Sequence, residues 1–262
     1  MSGFSAEWLA LREPADVAAR SAAVTNFVAG ALGQHSLLRI VDLGSGTGSN
    51  VRYLSRHLPQ VQRWQLMDND ARLLDTARSL LSIDVETRVI DLRHLDASAF
   101  AASDLVTASA LLDLVSESWL RTFVRHCHHG RVAVLAALNY DGRIVCSPAD
   151  EDDDLVRDLV NQHQRMDKGF GPALGPEAAL RLETLLGDAG FAVRRERSDW
   201  RLGANQGELQ RQLIAGWAAA AIEVAPSEAR RIRAWEVRRL DQVERAGSEI
   251  IVGHDDVGAI LR

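Results

Sequence analysis

Residues Ile40 to Asn50 read IVDLGSGTGSN, and this stretch decides the fold. Apolar residues from Ile40 to Leu43 read as the end of a strand. Three glycines at alternate positions, Gly44, Gly46 and Gly48, follow at once. A backbone without side chains can turn tightly there and approach a ligand closely. The next residues, NVRYLSRHL, read as a helix, so the unit is strand, glycine turn, helix. Such units hold dinucleotides, phosphates or adenosyl groups at the strand's carboxyl end. The spacing here is G-x-G-x-G, and Ser49 follows the third glycine, whereas the dinucleotide fingerprint is G-x-G-x-x-G. Asp42, two residues before the first glycine, sharpens the distinction. A carboxylate at that place repels a pyrophosphate and favours a ligand that carries an ammonium group.

Outward from this unit the chain alternates strands and helices. LLRIVDL, RWQLMD, VETRVIDL, SDLVTASAL and GRVAVLAAL read as five strands, nearly all apolar, with helical patterns such as DARLLDTARSLL and SESWLRTFVRHC between them. Apolar strands joined by helices form a parallel sheet covered on both faces. Residues 5–33 read as N-terminal helices, with Pro14 suiting the first turn of a second helix. Residues 140–175 read as a polar insertion with a helix over about 152–164. A helix, PEAALRLETLLGDAG, and one strand, FAVRRERSDWRL, come next. Two further helices are expected around 206–223 and 227–245, then a last strand, SEIIVGHDDVGAIL.

The ends of the first four strands carry a set of polar residues. Asp42 ends the first and Asp68 the second, twenty residues beyond Gly48; Asp91 ends the third, and Ser109 and Ala110 the fourth. In open α/β sheets the ligand crevice lies at these ends. With VDLGSGTG, LMDND, VIDL and VTASALLD in place, residues 38–140 resemble the class I S-adenosylmethionine-dependent methyltransferases. The resemblance implies a Rossmann-like α/β fold, a seven-stranded methyltransferase sheet with helices on both faces and a helical cap. One such domain would span 1–262, with residues 1–33, 140–175 and 203–247 forming the cap. It implies S-adenosyl-L-methionine as cofactor, held by Asp42, Gly44, Ser45, Gly46, Gly48, Asp68, Asn69, Asp91, Leu92, Ser109 and Ala110. Asp68 would accept both ribose hydroxyls. Asp91 would meet the adenine amino group, with Leu92 on the ring.

Methyl transfer is an in-line displacement that rests on positioning, helped by a general base when the acceptor is protonated. His163, Asp113 and Tyr140 are the candidates for catalysis. An imidazole titrates near neutrality, which suits His163 to the role of a base. Arg12, Arg20, Asn139, Arg165 and Lys168 are candidates for binding the acceptor, Arg12 and Arg20 also for the cofactor carboxylate. The functional reading is methylation of a small molecule by direct displacement. The alternative is a non-catalytic cofactor-binding subunit with the same fold.

The remaining features narrow the class. A net charge of -6 over 262 residues gives no footprint for nucleic acid. Cys127 and Cys146 form no CxxC pair, so reduced thiols and a cytoplasmic location are expected. No run is apolar and long enough for a membrane partner to be expected. RHCHHG lies on the sheet edge opposite the expected site, so no metal is expected. The basic run RRIRAWEVRRL reads as a solvated helix face, and DEDDD as charge at a helix N-terminus. The apolar segment around Trp217 would pack on the cap or against a second subunit in a homodimer.

Overall fold

The computed structural model describes residues 4–100 and 102–261. Helices α1 (Ala6–Ala19) and α2 (Ala22–Ala31) precede β1 (Leu37–Leu43), α3 (Ser49–Leu54), β2 (Val61–Asp68), α4 (Ala71–Leu80), β3 (Val85–Val89) and β4 (Leu105–Ser109). Then come α5 (Glu117–Gly130), β5 (Ala133–Ser147), α6 (Asp153–Gln164), α7 (Ala178–Asp188), β6 (Phe191–Arg197) and β7 (Trp200–Leu202). Helices α8 (Gly207–Val224) and α9 (Ala229–Glu244) and strand β8 (Glu249–Leu261) complete the chain. The sheet order is β3-β2-β1-β4-β5-β8-β6, with β7 also pairing with β8. The first five strands are parallel, and β8 runs antiparallel between β5 and β6.

Alternation along the strands explains why the sheet is buried on both faces. Leu38 and Ile40 of β1, with Leu135 and Ala137 of β5, enter a core shared with α2, α3 and α8. Val41 and Leu43, with Val134 and Ala136, enter a second core under α5 and α7. Period-two side chains therefore fill both layers.

Four expectations are corrected. Residues 191–202 are two strands, so among the described residues the expected seven-strand path carries β7 as an additional strand on β8. The break falls at Ser198–Asp199, where the Ser198 amide bonds the His254 carbonyl (2.8 Å) and Asp199 pairs with Arg143. Residues 140–147 are not the start of a polar insertion. They prolong β5 beside β8 through two register shifts, at Ala136/Asn139 and Tyr140/Ile144. Leu138 sits at the first shift with φ +54°, and its amide is taken by the buried Asp256 (2.8 Å). Pro14 lies inside α1 rather than opening a second helix. The break comes instead after Ala19, where the Ser21 hydroxyl accepts the Val24 amide and caps α2.

The fourth correction joins two runs read separately. RRIRAWEVRRL is a solvated face only in part, with Arg230 and Arg233 exposed. Arg231, Arg238 and Arg239 of α9 reach the acidic run at the start of α6: Arg231 meets Asp152 (2.5 Å), and Arg238 meets Asp150 (2.6 Å) and Asp152 (2.8 Å). Arg239, whose side chain is 1% exposed, pairs with Asp153 and donates to the Pro148 carbonyl (2.6 Å). The acidic run does open α6, with Asp152 at its N-cap and Asp153 and Asp154 in its first turn, and it also fastens α9 to α6.

Candidate active site

The glycine turn begins where β1 ends. Gly44, Gly46 and Gly48 have φ of +63°, +51° and +79°, the left-handed region that disfavours side chains. A Cβ on Gly46 would also lie 3.0 Å from the Leu9 side chain, so α1 covers the turn. Glu13 of α1 and Arg52 of α3 clasp across it with paired contacts of 2.7 and 2.5 Å. Ser45 braces the turn from within. Its hydroxyl donates to the Asp42 carbonyl (2.7 Å) and accepts the Met67 amide (3.0 Å).

Asp42 is buried, and one of its oxygens accepts from the Asn50 amide (2.7 Å). Burial pushes its carboxyl up to about 7, against the opposing pull of Asn50, Ser45 and Arg20. The Asn50 amide nitrogen also reaches Thr107 (2.9 Å), and its oxygen accepts from Arg20 (2.7 Å). One amide thus bridges a buried carboxyl and a buried guanidinium. Asp42 Oδ2, Arg20 Nε and Arg20 Nη2 are all buried without a hydrogen-bond partner, although Arg20 Nε lies 3.5 Å from Asp256. Such orphaned atoms are costly unless a ligand meets them. Arg20 stacks over Tyr53 at 4.4 Å and, with Asn50 and Ser109, lines a small cavity beside the turn.

Asp68 ends β2 and is buried, with one oxygen accepting the Gly46 amide (2.8 Å) and the other the Asp70 amide (3.0 Å). Asn69 is exposed beside it. Asp91 caps the turn after β3 and is held by Arg93, whose side chain above all keeps its carboxyl down at about 2. Leu92 is buried, and its carbonyl accepts the Trp119 indole N–H (2.7 Å). Ser109 and Ala110 follow β4, with Ala110 at φ +51° and its amide bonded to Ala137 (2.9 Å).

The residues expected around an acceptor are distributed unevenly. Asp113 follows β4 in a short turn, buried, with Oδ1 lacking any partner. Burial raises its carboxyl to about 6, although Arg12 and Lys168 lie close enough to pull it down. The Tyr140 hydroxyl donates to Asn161 (2.8 Å), and burial first, then Asp141 and Asp113, push it well above its ordinary value. A neutral phenol results, suited to orienting a ligand rather than taking a proton. His163 lies 3.2 Å from Lys168 and 3.3 Å from Glu223. Arg12 pairs with Asp16 (2.9 Å) and lies over the Trp200 ring at 4.9 Å. Asn139 is turned into the sheet, donating to the Asp255 carbonyl (3.0 Å). Arg165 is exposed and pairs with Glu177 (3.2 Å).

Sequence reasoning passed over Asn50, Thr107, Asp256, Trp200 and His254. Asp256 accepts the Ser21 and Leu138 amides (2.9 and 2.8 Å), joining the α1–α2 break to the β5 bulge. His254 is buried, and its Nδ1 has no partner. Burial first, then the charge of Arg12, drives its imidazole down to about 3, so it is neutral. No local signal marks these residues, because their partners lie far away in sequence.

Residues 40–130 match the model of a family described as a methyltransferase domain. Over these residues the chain carries a methyltransferase domain. Solved structures share this methyltransferase fold. The cyclopropane synthase MmaA2 from Mycobacterium tuberculosis matches over 98% of this chain and 94% of its own, with TM-score 0.54 and 10% identity. The YcgJ protein from Bacillus subtilis matches over 91% and 98%, with TM-score 0.50 and 15% identity. No curated protein matches the chain. The bridged pair of unpartnered polar atoms, Arg20 Nη2 and Asp42 Oδ2, fits the amino-acid end of S-adenosylmethionine, the cofactor implied by the resemblance. No helix among the described residues is long and apolar enough to cross a membrane.

Proposed function

We propose that this methyltransferase moves the methyl group of S-adenosylmethionine to a small molecule by direct displacement. One observation carries the reading. Arg20, Asn50 and Asp42 form a buried relay beside the glycine turn, in which Arg20 Nη2 and Asp42 Oδ2 have no hydrogen-bond partner among the described residues. That is a receptor for a zwitterion, with the carboxylate on Arg20 and the ammonium on Asp42. Asp68 takes the ribose hydroxyls, Leu92 packs on the base, and Ser109 and Ala110 lie beside the methionine part. Asp91 reaches the adenine amino group only after sharing its oxygens with Arg93. The cofactor supplies a methyl already activated on a sulfonium. The chain's own work is to align the acceptor, exclude water beneath α1 and hold a proton at Asp113. The site lies beneath α1 and the net charge is negative, which supports a small acceptor over nucleic acid. The free thiols of Cys127 and Cys146 suit a cytoplasmic setting.

Isothermal titration with S-adenosylmethionine and with S-adenosylhomocysteine tests the reading, and binding of neither sinks it. Affinity has a defined pH dependence. Without ligand, Asp42 holds its proton below about 7, whereas an ammonium needs the carboxylate. Affinity is therefore expected to rise between pH 5 and 7 and to level off above. Asp42→Asn should flatten the curve. The same raised value makes Asp42 favour folding at low pH, a contribution lost as pH rises through about 7.

Transfer of labelled methyl into a cell extract separates an enzyme from a binding subunit. With an acceptor in hand, Asp113→Asn is expected to lower kcat about a hundredfold or more while cofactor affinity is kept. Wild-type kcat should climb with pH through about 6, as the carboxyl becomes a base. An unchanged kcat in the variant removes Asp113 from the chemistry.

A further inference from the structure

Beyond the cofactor crevice, several groups converge where the prolonged part of β5 meets β8. Tyr140 of β5 is paired in register with His254 of β8. The His254 ring lies 6.3 Å from the Tyr140 ring and 5.1 Å from Trp200 of β7. Trp200 donates its indole N–H to Asp16 of α1 (3.1 Å), and Arg12 of the same helix covers its face. Arg12 acts by charge on both His254 and Asp113. Lys168 acts on Asp113 as well, and Asp113 on Tyr140. Two of these groups, Asp113 Oδ1 and His254 Nδ1, are buried polar atoms with nothing to bond. Their residues are 8% and 6% exposed. Neither helps to hold the fold by a side-chain hydrogen bond at that atom, and each is left wanting a partner.

We propose that these groups form the acceptor site and that the acceptor is a planar, acidic hydroxyl compound of the phenol class. Its ring would lie against Trp200 and Tyr140, its hydroxyl toward Asp113, and a second polar substituent on His254 Nδ1. The inference rests on the methyltransferase reading above. Aromatic walls alone would equally suit a cationic amine through cation–π attraction. Lys168, and Arg12 with its charge shared by Asp16, favour an oxyanion over a cation there. A neutral imidazole can donate or accept at Nδ1 according to its tautomer, so it accommodates either kind of substituent. In the reaction, the hydroxyl proton passes to the Asp113 carboxylate. An oxygen lone pair forms the bond to the methyl carbon. The carbon–sulfur bond breaks with its electron pair remaining on sulfur, leaving a neutral thioether.

The test uses para-nitrophenol, whose phenolate absorbs visible light, and the full chain saturated with S-adenosylhomocysteine. Titration at a pH below the probe's own pKa is expected to show saturable binding with a rise in phenolate absorbance. His254→Phe should weaken that binding about tenfold, by losing one hydrogen bond while keeping the ring's bulk. Arg12→Gln should remove the excess of phenolate. S-Adenosylhomocysteine affinity, measured by calorimetry, should change less than about twofold in His254→Phe. Absence of saturable probe binding to the wild-type complex overturns the inference and leaves the methyltransferase reading intact. So does binding only as the neutral phenol, or unchanged binding in a folded His254→Phe variant. If S-adenosylhomocysteine itself does not bind, both readings fall.

Discussion

Asp68→Ala is expected to weaken S-adenosylmethionine binding by about a hundredfold or more in calorimetric titration. Two contributions act together. Charge-assisted hydrogen bonds to the two ribose hydroxyls would be lost, at about 1.5–3 kcal/mol each. The glycine turn would also lose its brace, because Asp68 accepts the Gly46 amide at 2.8 Å and the Asp70 amide at 3.0 Å. Without that acceptor the turn no longer presents its backbone at a fixed height. Asp68→Asn keeps the shape and one acceptor oxygen, so its affinity should fall between the two. Wild-type affinity in the alanine variant would remove Asp68 from the cofactor site and, with it, the second-strand acid as a mark of the ligand.

The second large effect is on stability. Arg239→Ala is expected to cost about 3–5 kcal/mol in urea unfolding, the usual consequence of stripping one partner from a buried ion pair. Arg239 is almost fully enclosed, and besides Asp153 it holds the Pro148 carbonyl. Its loss leaves Asp153 with only the Trp235 indole N–H, at 2.8 Å, among these long-range contacts. By comparison, Arg245→Ala removes an exposed pair with Asp241 on the same helix and should cost under about 1 kcal/mol. A loss below 1 kcal/mol for Arg239→Ala would show that the pair's desolvation already cancels its attraction.

The turn and strand ends of the candidate cofactor site were legible because they are written in short stretches. Gly44 to Gly48 form one contiguous turn, Asp68 ends β2, and Asp91 follows β3 by two residues. Strand order then follows from alternation and right-handed crossovers, so neighbours in the site are set by general rules. The rest of the candidate site obeys no such rule. Asn50 and Arg20 meet across thirty residues, and Trp200 meets Asp16 across 184. Nothing in a local window marks Asp256 as the acceptor for two distant amides. The prolonged β5 was also hidden, because Asn139, Asp141 and Gly142 read as turn residues. Partner strand β8, far along the chain, turns that stretch into strand with bulges. The acidic and basic runs failed to declare each other for the same reason.

Helix α1 bears on both halves at once. Leu9 and Glu13 face the glycine turn and α3, whereas Arg12 and Asp16 face Trp200. Because these residues share one rigid rod, any swing that uncovers the turn also takes Arg12 off the indole and Asp16 off its N–H. On the reading proposed above, the door for the donor is thus a wall for the acceptor. The expected kinetics are ordered, donor first, and product-inhibition patterns that show random addition would overturn that expectation.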